Sequence, residues 1–144
     1  MTDIWEPNET TTHQDHVIAH VIGATVLGYF VFAEVLYILL DIGFLWGIFL
    51  DGQMTLLPHP VAISELEIDE QVREGVKTDI GVLLSDNPAP DKLLQMKPSP
   101  VFCQINDVSF FSRGDQRRLA LTGEESNLAI VTSLDTAEIE IYEF

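Results

Sequence analysis

The sequence predicts a single α+β domain: an antiparallel sheet, one long amphipathic helix, and a buried hydrophobic helix or strand near the N-terminus. Three observations carry that reading. Residues 17 to 50 are almost wholly apolar, residues 64 to 85 repeat apolar positions at helical spacing, and residues from 101 onward form short β-rich runs separated by turn residues. At 144 residues, 47% hydrophobic and 21% charged, the chain has the size and composition of one folded core rather than of a disordered segment.

Residues 1 to 16 are polar and rich in turn formers, and read as an N-terminal arm ahead of a domain over 17 to 144. In 17 to 32 the apolar residues pair four apart, as in a helix. The stretch TVLGYFVF, however, is rich in β-branched and aromatic residues, so helix and strand both fit. Ala33 to Ile42 consists largely of good helix formers and is followed by Gly43 where a C-terminal glycine cap belongs, which predicts a helix. Asp51-Gly52 between two apolar runs predicts a hairpin with strands at 44 to 50 and 53 to 57, closed by Pro58 and Pro60.

Ser64 with Glu67 three residues on has the capping-box pattern, and Leu66, Ile68, Val72, Val76, Ile80, Leu83 and Leu84 mark one face of a helix to about Ser85. Residues 86 to 100 hold four prolines and read as a connecting loop with at most one helical turn at Leu93 and Leu94. The runs VFCQI, VSFF, RRLALT, LAIVTSL and AEIEIYEF then read as strands, and Arg113-Gly114-Asp115 as a turn leading into the strand at Arg118.

The apolar run raises the question of a membrane span. Its longest stretch free of charge and histidine is Val21 to Ala33, short of the roughly 20 residues a spanning helix needs. Glu34 and Asp41 follow, each costing roughly 2.5–3.5 kcal/mol near a bilayer centre, and no basic residue flanks the run. A soluble core is the favoured reading, and a membrane-anchored protein its alternative.

Twenty-three acids against seven bases give a formal net charge of −16, which repels nucleic acid and favours a basic protein partner. All seven bases lie at Arg73 or beyond. Cys103 is the only cysteine, so neither an intrachain disulfide nor a cysteine metal cluster can form, and a reducing, cytoplasmic setting fits.

Three candidate sites stand out. His13, His16 and His20 would share one stripe of a helix and could hold a transition metal through imidazole nitrogens. Glu34 and Asp41 are acids inside the most apolar part of the chain, where burial would mark them for function. Tyr29, Phe32, Tyr37, Phe44, Trp46 and Phe49 could form a subunit interface or an apolar pocket. The function these features predict is an acidic, non-enzymatic protein-interaction module that self-associates into a homo-oligomer through its apolar N-terminal half. The alternatives are a metal-dependent enzyme built on the three histidines and an apolar-ligand carrier.

Overall fold

The computed structural model describes residues 4–9, 12–49, 61–85, 93–133 and 139–143. Nine strands, two α-helices and one short 3-10 turn follow one another along these residues. β1 is Glu6–Asn8, α1 Thr12–Ala19, β2 Thr25–Phe32, β3 Val35–Leu40 and β4 Leu45–Phe49. After a 3-10 turn at Ile63–Glu65 come α2 Glu70–Leu84, β5 Lys97–Gln104, β6 Asp107–Arg113, β7 Gln116–Thr122, β8 Asn127–Ser133 and β9 Ile139–Glu143. All strand pairs are antiparallel, in a five-stranded sheet ordered β1-β6-β7-β8-β9 and a four-stranded sheet ordered β4-β3-β2-β5.

The two sheets and α2 form three layers, and the four-stranded sheet is the middle one. Val26, Leu36, Ile38, Leu40, Trp46 and Ile48 point from it into a core shared with Val108, Phe110, Leu119, Leu121, Leu128 and Ile130 of the larger sheet. Phe30, Leu39 and Leu45 point the other way, against Val76 and Leu83 of α2. A strand buried on both faces has no polar side to show, so its sequence is continuously apolar rather than alternating. That accounts for most of residues 25 to 49, which the larger sheet and α2 cover, while Val31, Ile42, Phe44 and Phe49 stay exposed. Among the described residues, no helix is long and apolar enough to cross a membrane.

The helix expected over Ala33 to Ile42 is not formed: VLYILL is strand β3 at the centre of the middle sheet, flanked by β2 and β4. Helix propensities differ by less than about 0.7 kcal/mol per ordinary residue, whereas burying one Leu or Ile side chain is worth about 1.5–3 kcal/mol, so packing on two faces overrides propensity. The ambiguous segment 17 to 32 divides. Val17 ends up near the close of α1, Val21 in the turn after it, both buried in the inter-sheet core, and Thr25–Phe32 is β2. β2 joins β3 through a two-residue turn with Phe32 opposite Val35, in which Ala33 and Glu34 both lie at positive φ, 51° and 63°. This is the backbone a tight hairpin requires, met without Asn or Gly. The expected strand at 44 to 50 appears as β4, while the Asp51-Gly52 turn and the strand at 53 to 57 lie outside the described residues.

The long helix starts later than its capping-box pattern suggests. Asp69 caps it, its Oδ1 accepting the Gln71 N–H at 3.1 Å, and Ser64 and Glu67 lie in the 3-10 turn and the extended lead-in. Arg73 braces that lead-in by donating to the carbonyls of Ser64 and Leu66. Residues 93 to 96 bend, within the limit of at most one helical turn, but the stretch read as a connecting loop to residue 100 ends early, because β5 already begins at Lys97, where it pairs with Tyr29 of β2. All five C-terminal runs are strands, and Gly114, at φ 58°, opens the two-residue β6–β7 turn. In the N-terminal arm, β1 pairs with β6 and Trp5 lies beneath the Arg113 guanidinium, 4.2 Å from its ring centre.

Candidate functional site

An open groove of about 600 Å³ lies between the first half of α2 and the bend at residues 94 and 95. Its geometry begins with an anomaly on the helix. Val72, Val76 and Leu83 bring an apolar stripe against the middle sheet, and Asp79 stands on that stripe, completely buried. A buried carboxylate needs donors to replace water, and here the backbone supplies them. Its Oδ1 accepts the N–H of Leu94 at 2.8 Å, and its Oδ2 accepts those of Gln95 at 2.6 Å and Met96 at 2.7 Å. Three amides converging on one carboxylate clamp the segment that leads into β5 against α2.

Gly75 sets the depth of the groove, for a Cβ there would stand 2.5 Å from Cγ of Gln95. With no side chain at 75, Gln95 lies directly on the helix. The rim carries Glu70 and Glu74, one turn apart, and Leu94 stands on the opposite side with 66% of its surface exposed. Each rim acid has one cation near it, Arg73 at 3.8 Å from Glu70 and Lys77 at 3.8 Å from Glu74. Pairs this long and this exposed are held weakly, so both carboxylates remain available to a partner. The Arg73 guanidinium is also turned away, toward Ser64 and Leu66. An apolar knob facing two carboxylates suits a segment bearing a hydrophobic side chain and one or two cations.

The residues singled out by sequence are dispersed. Trp46 is fully buried between the sheets, and no hydrogen-bond partner reaches its Nε1 among the described residues. Tyr29 packs toward the inter-sheet core, whereas Phe32 and Tyr37 face the α2 side, Tyr37 stacking on Phe30 with ring centres 5.0 Å apart. Only Phe44 and Phe49 are exposed, so the six do not make one face. Glu34 and Asp41 are not buried. Glu34 occupies the β2–β3 turn, and Asp41 is at the surface with its Oδ1 accepting the Thr25 N–H at 3.1 Å. His16 and His20 are exposed, the side chain of His13 lies outside the described residues, and among those described no group of three His, Cys, Asp or Glu is placed to hold a metal.

Asp79 is the residue that sequence reading passes over, although the signal is present: it is an acid three residues after Val76 and four before Leu83, on the apolar stripe of the best-patterned helix. Its partners, by contrast, have no sequence signature, because they are backbone amides. No protein-family model matches the chain, and no curated protein or solved structure matches it either.

Proposed function

We propose that the chain is a non-enzymatic protein-interaction module whose groove between α2 and residues 94–95 receives a basic segment of a partner protein. The observation that carries this reading is the Asp79 clamp, which positions exposed Leu94 opposite Glu70 and Glu74. An anchor held in place beside two weakly paired carboxylates lets a partner bind without first ordering the surface. The net charge of −16 adds long-range steering of basic partners.

The experiment is a titration with a synthetic amphipathic helix carrying Lys at i and i+4 beside a Leu, against the same peptide with Glu for Lys. The Lys peptide binds and the Glu peptide does not. Binding weakens as salt rises through the range where the screening length drops below about 10 Å. The double variant Glu70→Lys with Glu74→Lys weakens binding by at least about tenfold, and Leu94→Ser weakens it without changing its salt dependence. Equal binding of both peptides, or indifference to both sets of substitutions, overturns the reading.

A further inference from the structure

A second, smaller cavity of about 190 Å³ lies at the end of the inter-sheet space, where β9 of the larger sheet faces β2 and the start of β5. Tyr29 and Lys97 are directly opposed across the β2–β5 ladder, so both side chains leave the sheet on the same face. That face looks toward the larger sheet, since Tyr29 packs against the inter-sheet core together with Ile139 and Ile141. Val31, two residues along β2, completes the apolar wall.

Besides Gln95, which is tied to α2, the cavity has two polar groups with no engagement elsewhere. Among the described residues neither the Lys97 ammonium nor the Tyr29 hydroxyl has a hydrogen-bond or ion-pair partner. In a chain with 23 acids and 7 bases this is uncommon company for a lysine. Arg73 and Lys77 lie beside Glu70 and Glu74, and Arg113 and Arg117 donate to Gln116 and Gly114. Burial also raises the Tyr29 hydroxyl above its ordinary titration range, so it keeps its proton and acts as a donor.

We infer that this cavity binds a small apolar carboxylate, with Lys97 and the Tyr29 hydroxyl taking the carboxylate and Val31, Ile139 and Ile141 taking the hydrocarbon part. A cavity of about 150 Å³ holds a benzene ring, so this one suits a ligand the size of benzoate or hexanoate. An amine of the same shape is repelled by Lys97, and a neutral alcohol has only the apolar walls and one hydroxyl to bind. The cavity shares Gln95 with the α2 groove but uses neither the rim acids Glu70 and Glu74 nor Leu94, so the failure of either reading leaves the other standing.

The test is a ¹H–¹⁵N NMR titration with sodium benzoate and sodium hexanoate, beside benzyl alcohol and hexan-1-ol. The carboxylates produce saturable shifts at the amides of Tyr29, Lys97, Ile139 and Ile141. Lys97→Met weakens carboxylate binding by about tenfold, the scale of one charge-assisted hydrogen bond, while leaving the alcohols unchanged. Because the Lys97 side chain is at the surface, the variant keeps the wild-type spectrum elsewhere. Tyr29→Phe gives a smaller loss, and Ile141→Trp fills the slot and removes all four ligands. The absence of saturable shifts at these amides, or an equal loss of alcohols and carboxylates in Lys97→Met, overturns the inference.

Discussion

The buried carboxylate of Asp79 accepts the backbone N–H of Met96 at 2.7 Å, joining α2 to the start of β5 across 17 residues of sequence. The same side chain holds Leu94 and Gln95, so one residue on a helix does what a loop's own turn chemistry would otherwise do. Asp79→Ala strands these amides, of which the one at Met96 is buried, and destabilises the protein by about 3 kcal/mol. Asp79→Asn keeps a single carbonyl acceptor and costs less, about 1–2 kcal/mol. Urea denaturation checks both: the midpoint falls while the slope stays constant, and the basic peptide loses its groove.

Ala33 and Glu34 hold positive φ in the β2–β3 turn, a conformation in which the Cβ of an L-residue crowds the following carbonyl. Replacing them by Asn-Gly removes that strain without touching either core, and raises stability by about 1 kcal/mol or more. The urea midpoint rises, with an unchanged fold by circular dichroism.

A Cβ at Gly28 would stand 2.7 Å from the Lys97 carbonyl oxygen and 2.8 Å from Cδ1 of Leu83. The first is ladder backbone and cannot move aside. Gly28→Ala therefore destabilises by about 1–3 kcal/mol, the scale of overpacking. Hydrogen exchange locates the damage, with faster exchange along β5 than along β7 or β8.

Cys103 is buried between the sheets, its Sγ donating to the Leu121 carbonyl at 3.6 Å. Burial pushes its thiol above the ordinary value of 9.0, a shift partly offset by a backbone hydrogen bond at Leu128. As pH rises, the unfolded chain therefore releases this proton before the folded one does. It then binds fewer protons than the folded state, so the stability contributed by the neutral thiol is complete below pH 9.0 and declines above it. Tyr29 and Tyr37, also raised by burial, act in the same direction above pH 10.0. Urea midpoints fall through the alkaline range, less steeply in Cys103→Ala. Iodoacetamide alkylates the native thiol slowly at pH 8 and rapidly in urea, about as fast as a free cysteine.

Much of this architecture is legible in the sequence. The β-rich C-terminal runs fold as β5 to β9, and the apolar stripe of Val72, Val76 and Leu83 makes α2 the long helix against the sheet. The candidate groove is half legible: Glu70 and Glu74 are visible one turn apart, but nothing in the sequence of Leu94 to Met96 says that a helix carboxylate collects its amides. The aromatic residues of the N-terminal half do not mark a site, because their spacing follows the needs of two separate cores. Trp46 serves one and Tyr37 the other.

The sequence by itself determined how much is buried and where charge is kept: a continuous apolar run, a patterned helix, short C-terminal strands and a large acidic excess. Only the tertiary structure decided that Val35–Leu40 is a strand, that its turn is Ala33-Glu34, and that Asp79 is buried where Glu34 and Asp41 are not. The physical reason is common to all three. Periodicity reports one exposed face, and a strand in the middle layer has none, so its identity is set by what packs above and below it. A buried carboxylate likewise depends on donors that the chain brings to it only when folded.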